Sequence, residues 1–232
     1  MSLYLTLLLI SLSIPFIFSF HPRIRFDKSF TSAFLSITIT SLFFILWDIY
    51  FTDIKVWGFT EIHHGDSLIM NLPIEEVLFF FVIPFCCMFT YFTFKKFDVL
   101  KMKRNVKLFR FIAVLLIILS IIYYENAYTL SVFMYSSIIL FYISSIDKKW
   151  FGYFFGTYLL ISLIPFIIVN GILTGIITQE PPVWYNPQEI IGIRCFTIPI
   201  EDFFYCFCLL FTNFLLFEIF EKRFGKKSQS NY

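Results

Sequence analysis

The sequence predicts an all-α integral membrane protein of seven transmembrane helices, arranged as two parallel three-helix repeats joined by a linker helix. Three observations carry this expectation. The chain of 232 residues is 59% hydrophobic and 15% charged, with a mean hydropathy of +0.80, whereas soluble domains carry about 25% charged residues. Seven apolar runs approach the roughly 20 residues that a helix needs to cross a bilayer core. An acidic pair behind a proline is also written twice, as Pro73-Ile74-Glu75-Glu76 and Pro199-Ile200-Glu201-Asp202.

The runs fall at 2–20, 30–51, 72–94, 109–125, 127–146, 152–173 and 197–219. The first has no basic residues ahead of it and no small-residue cleavage site before His21-Pro22-Arg23. It therefore reads as a span and not as a cleaved signal peptide. Only Glu125-Asn126 separates the fourth run from the fifth, and Pro15, Pro84 and Pro165 are kink candidates inside spans.

Charge sets the orientation. Of the 18 basic residues, only Lys55 and Arg194 fall on the side opposite the others, which include Lys222, Arg223, Lys226 and Lys227 after the last run. The positive-inside rule then places the N-terminus outside and the C-terminus in the cytoplasm of a multi-pass cell-membrane protein. Because these residues mark topology, the net charge of +2 indicates no nucleic-acid partner. The five cysteines form no CxxC pattern and four lie in apolar runs, as small buried hydrophobes do.

The chain repeats itself beyond the acidic pairs. Phe26-Asp27-Lys28 resembles Ile146-Asp147-Lys148, and Asp48, near the end of the second run, has its counterpart in Asn170 near the end of the sixth. Each is followed by a loop holding a Trp (Trp57, Trp184) and a Gly (Gly65, Gly192). The expected divisions are 1–94, a first repeat; 95–126, a basic loop and connecting span; 127–220, a second repeat; and 221–232, a tail. An even number of spans separates equivalent positions, so the two copies run parallel and their acids enter from one side.

Two readings of the acids compete. Proline at the first helical position with Glu75 or Glu201 at the third is ordinary helix-start chemistry. Yet each helix carries two acids about 100° apart, so when one caps the backbone the other points elsewhere. Ionisable groups in spans face the bundle interior and mark sites. Glu75, Glu76, Glu201 and Asp202 are therefore the candidate acid/base set, with Asp48 and Asn170 as polar partners. Phe79, Phe80, Phe204 and Tyr205 are candidate substrate contacts, because π-faces beside an acid suit a carbocation reaction. For single aromatics, packing or lipid contact is the simpler reading, as a membrane belt is for Trp47 and Trp184. His63-His64 lacks a third spaced ligand, so no metal is expected. No GxGxxG or P-loop indicates a nucleotide cofactor.

The motifs at 73–80 and 199–205, with the repeat architecture and the Trp-Tyr-Asn-Pro stretch at 184–187, resemble the membrane-integral lycopene cyclase domain family, in its fused form. The resemblance covers nearly all of residues 1–220. One departure is that the first copy carries His63-His64 in its loop and has Glu76 where the second has Asp202. The resemblance implies a lycopene β-cyclase of carotenoid biosynthesis, an isomerase that needs no cofactor. Its partners would be lycopene or a similar linear carotenoid, the lipid bilayer and other carotenoid enzymes. In the implied reaction an acid protonates the terminal double bond, a neighbouring alkene closes the ring, and proton loss gives a β-ionone end. Alternatives are a relative with ε-ring, C50 or hydratase specificity, or a seven-span proton-coupled transporter. A retinal protein would need a Schiff-base lysine in 197–219, and none is present.

Overall fold

The computed structural model describes residues 2–225; Met1 and residues 226–232, which include Lys226 and Lys227 of the expected tail, lie outside the described residues. Seven helical rods make up the bulk of the chain. They are α1 (Leu3–Ser19), α2 (Phe30–Asp53), α3 (Ile74–Lys96), α4 (Val106–Ile122), α5 (Ala127–Ser145), the rod formed by α6 (Phe151–Ile161) and α7 (Ile167–Leu173), and α8 (Ile200–Phe220). Among the described residues, five stretches are long and apolar enough to cross a membrane: Phe26–Asp53, Ile74–Lys96, Ala127–Ser145, Phe151–Leu173 and Ile200–Phe224. α1 and α4, at 17 residues each, are shorter.

Local chemistry sets the helix ends. Ser2 caps α1 by accepting from the Leu5 amide at 3.2 Å, and Asn105 caps α4 by accepting from Leu108 at 3.1 Å. Side-chain oxygens there satisfy amides that have no intrahelical partner. Pro165 stands in a π turn, Ser162–Phe166, that joins α6 to α7. The missing proline N–H removes a ladder bond, and the chain answers with a wider turn. Pro15 and Pro84, by contrast, sit within continuous helices.

The expected placement of proline at the first helical position is corrected. Pro73 and Pro199 are N-caps with extended backbone (ψ 143° and 144°), so each acidic pair occupies the second and third helical positions. The cause is the hairpin before each helix. Strand β2 (Leu68–Ile69) pairs antiparallel with β3 (Leu72–Pro73), and β5 (Arg194–Cys195) pairs with β6 (Ile198–Pro199). Both hairpins turn through a non-glycine residue of positive φ, Met70 and Phe196, each at 57°. The amide of Ile74 returns to the Ser67 carbonyl at 3.0 Å, as that of Ile200 returns to Ile193 at 2.9 Å. A third ribbon joins the two loops, with β1 (Trp57–Phe59) antiparallel to β4 (Val183–Tyr185) and Gly58 opposite Trp184.

α1 packs against α3 and α5 against α8, while α2 lies against both α3 and α8. α4 and α5 form a tight helical hairpin, its turn closed by the Tyr123 amide on the Leu119 carbonyl at 2.9 Å. The centre belongs to α5 and α8, whose apolar windows are each 56% buried, against 29% for Phe151–Leu173 on the periphery. At the end remote from the acidic pairs, Tyr91 stacks on Phe214 with ring centroids 4.4 Å apart. Its hydroxyl donates to the buried Glu218 at 2.6 Å, and Lys95 pairs with the same carboxylate.

Candidate functional site

The first acid of each pair faces the hairpin and loop side. Glu75 Oε1 accepts from Ser2 Oγ at 2.7 Å and from the Gly65 amide at 2.8 Å. Glu201 Oε1 accepts from Thr129 Oγ1 and from the Ile191 amide, both at 2.7 Å. Each carboxylate thus ties the start of a neighbouring helix to the loop ahead of its own. In both, Oε2 is buried with no protein partner among the described residues.

The second acid of each pair turns the other way, as the 100° step requires. Glu76 and Asp202 line one half-open cavity of about 90 Å³, together with Asp48 and Asn170. Both acids are buried, at 8% and 5% exposed, and Asp48 is 2% exposed. Asp202 accepts three hydrogen bonds, from Tyr128 at 2.7 Å to Oδ1 and from Asn170 (2.7 Å) and Tyr185 (2.8 Å) to Oδ2. Glu76 accepts from the Tyr4 hydroxyl and lies within electrostatic reach of both Asp48 and Asp202. Asp48 Oδ1 accepts from Trp57 Nε1 at 2.5 Å, while its Oδ2 is buried without a partner among the described residues. The Tyr205 hydroxyl, in the cavity wall, likewise has no partner among the described residues.

The remaining wall is aromatic and aliphatic, and includes Phe79, Phe80 and Phe166. Burial pushes the phenol of Tyr185, on the β4 strand, well above its ordinary range, and the Asp202 charge adds to the effect. That hydroxyl therefore stays protonated and donating. A π-lined chamber with three buried carboxylates can hold a proton and stabilise a cation, two requirements of acid-initiated carbon chemistry.

Of the residues singled out from sequence, Glu76, Asp202, Asp48, Asn170, Phe79, Phe80 and Tyr205 come together around this cavity. Glu75 and Glu201 do not line it, and neither does Phe204, which packs edge-on against Phe133 of α5, centroids 4.9 Å apart, and lines a separate groove. α8 presents only one face to the chamber, and Phe204 falls on another. Trp47 packs inward against Phe44 and Tyr205 rather than forming a belt. His63 Nε2 meets the Glu180 carbonyl at 2.9 Å, and His64 Nδ1 meets Gly65 O at 2.7 Å. Sequence reasoning missed Tyr4, Tyr128 and Trp57 as site residues. Their signal was position, since Tyr4 and Tyr128 open the first and fifth runs and Trp57 sits in the loop before the first acidic pair.

Fold and site together define the class: an all-helical protein rich in membrane-length apolar helices, with a buried carboxylate chamber near one end. The lycopene cyclase family description matches it twice, over residues 1–94 and 125–220, and the chain belongs to that family. Membership brings a carotenoid substrate and the cyclisation of lycopene. No curated protein and no solved structure matches the chain.

Proposed function

We propose that this chain is a lycopene β-cyclase, an isomerase working in carotenoid biosynthesis with seven spans in two parallel repeats, N-terminus outside. The observation that carries the reading is the convergence of Glu76, Asp48 and Asp202 on one aromatic-lined cavity. The recurrence of each hairpin and carboxylate clamp in both halves supports the two-repeat architecture. α1 counts as a span in this reading because it runs alongside α3, with Ser2 bonded to Glu75 and Cys86 to Ser11, and α4 because it carries the chain from Arg104, bonded to Ile146 O, to Asn126, bonded to Gln188 O.

The chemistry follows from the hydrogen bonds. Glu76, with one donor against three for Asp202, is the acid. Its proton goes to the terminal double bond of lycopene, leaving a tertiary cation. The neighbouring alkene attacks, a carbon–carbon bond closes the six-membered ring, and the positive charge moves into the ring. Asp202, a triple acceptor and so matched to an anion, takes the proton whose loss gives the β-ionone double bond. No electrons are gained or lost, so no redox cofactor is needed. Phe79, Phe80 and Tyr205 offer their π-faces to the cation. Glu75 and Glu201 are positioning residues that hold the loops in place.

At about 90 Å³ the chamber is far below the roughly 300–1,000 Å³ of a whole small-molecule site. Only the reacting end of a C40 chain enters, and the polyene leaves past the half-buried Phe79 and Phe166. The test is expression in a lycopene-accumulating host followed by pigment chromatography. New monocyclic or bicyclic β-carotenes are expected; unchanged lycopene in cells with verified membrane expression overturns the proposal.

A further inference from the structure

Strand alternation gives the β1–β4 ribbon two different faces. Trp57, Phe59, Val183 and Tyr185 line the carboxylate chamber. Gly58 and Trp184, the paired central residues, are absent from that lining and face a second hollow of about 700 Å³ on the outer side, which Trp57 and Phe59 also border. That hollow also carries Lys55, Glu61, His64 and Asp66, a set of charged and polar groups that belongs in water. One layer of a two-stranded ribbon therefore stands between a polar vestibule and the carboxylate chamber.

The ribbon is firmly closed. A Cβ on Gly58 would lie 2.3 Å from Trp184 Cζ2, so the indole lies directly on bare backbone. Beyond the paired strands, the Thr60 amide donates to Pro182 O at 3.0 Å, Thr60 Oγ1 to Pro181 O at 2.7 Å, and the Asn186 amide to Val56 O at 2.9 Å. Its inward side chains hold two of the acids, Trp57 to Asp48 and Tyr185 to Asp202.

We infer that the Gly58–Trp184 stack seals the chamber against water and thereby decides ring closure over hydration. This rests on the proposed cyclisation. The tertiary cation has two available nucleophiles, the neighbouring alkene and water. Attack by water forms a carbon–oxygen bond and releases one proton to a carboxylate, giving an acyclic tertiary alcohol heavier than lycopene by one water. Excluding water removes that branch. Neither Gly58 nor Trp184 lines the carboxylate chamber, so the pair governs product choice without taking part in the proton transfers.

Gly58→Ala forces the indole off the ribbon, and Trp184→Ala removes it. Each full-length variant, reconstituted in liposomes with lycopene, is expected to form a hydrated acyclic carotenoid that the wild type lacks, with correspondingly less ring product. Trp184→Phe, which restores an aromatic cover, is expected to return the balance toward rings. Products are read by chromatography and mass, and folding by size-exclusion profile and thermal unfolding in detergent. Because Trp184→Ala introduces no clash, it tests the idea even where Gly58→Ala misfolds. Folded Trp184→Ala protein that yields rings only, or loses rings without yielding any alcohol, overturns the inference. Absence of rings from the wild type would instead overturn the cyclase reading.

Discussion

Replacing Glu76 and Glu75 separately by Gln separates the chamber acid from its neighbour in sequence. Gln at 76 keeps the volume and a carbonyl that can accept from Tyr4, but it has no proton to transfer. General acid–base catalysis is worth roughly 10²–10⁴ in rate, or about 3–5 kcal/mol at 1.36 kcal/mol per tenfold. Glu76→Gln should therefore lower ring formation by at least about a hundredfold with little change in stability. Glu75 serves structure: its Oε1 takes two bonds, from Ser2 at 2.7 Å and Gly65 at 2.8 Å. A Gln carbonyl can still accept both, and only the charge-assisted part is lost, about 1 kcal/mol per bond. Glu75→Gln should then destabilise the protein by about 1–2 kcal/mol while keeping its rate within roughly tenfold. Initial rates in lycopene-loaded liposomes, normalised to folded protein, and thermal unfolding in detergent provide both readouts. Equal rate losses in the two variants, or an active Glu76→Gln, would refute the division of labour between the paired acids.

Asp202→Asn turns an acceptor of three donors into a group whose NH₂ must face at least one of them. Ring formation should fall by about 10²-fold or more, and Tyr128→Phe should fall less; a reversed order in a rate assay would argue against Asp202 as the base. Tyr185 predicts an alkaline effect. Its folded pKa is raised by burial, so the stability it contributes is full below the free phenol value of about 10 and declines as pH rises through the higher folded value. Melting profiles from about pH 9 to 11 should show this decline in the wild type and a shallower one in Tyr185→Phe. Phe204→Leu should leave the product spectrum unchanged, whereas Phe80→Leu, in the chamber wall, should slow cyclisation several-fold at comparable expression. For topology, Asp66→Cys should react with a membrane-impermeant thiol reagent on intact cells above the native background, and Asp147→Cys should react only after lysis.

Tests of this kind bear on what the chain could disclose before folding. The apolar runs at 30–51, 72–94 and 127–146 were legible because hydrocarbon imposes length and apolarity on every helix that crosses it. The acidic pairs stood out for the same reason, since a carboxylate in such a run is costly unless it is placed on purpose. Helix starts were less legible. Pro73 and Pro199 looked like first helical residues, yet pairing with Leu68 and Arg194 keeps them extended, and hairpin pairing leaves no local mark in so short a strand.

By itself, then, the sequence determined that this is an apolar, all-helical chain with two matching proline-carboxylate motifs. It also determined that Glu76 and Asp202 point about 100° away from Glu75 and Glu201, because that angle is fixed by the helix itself. Which member of each pair would meet the substrate was a tertiary decision. Ser2 and Thr129 arrive from other helices to occupy Glu75 and Glu201, while Tyr4, Tyr128, Tyr185 and Asn170 gather on Glu76 and Asp202. Those partners lie 17 to 74 residues away in the chain, and only packing brings their hydroxyls and amides within the roughly 3 Å reach of a hydrogen bond.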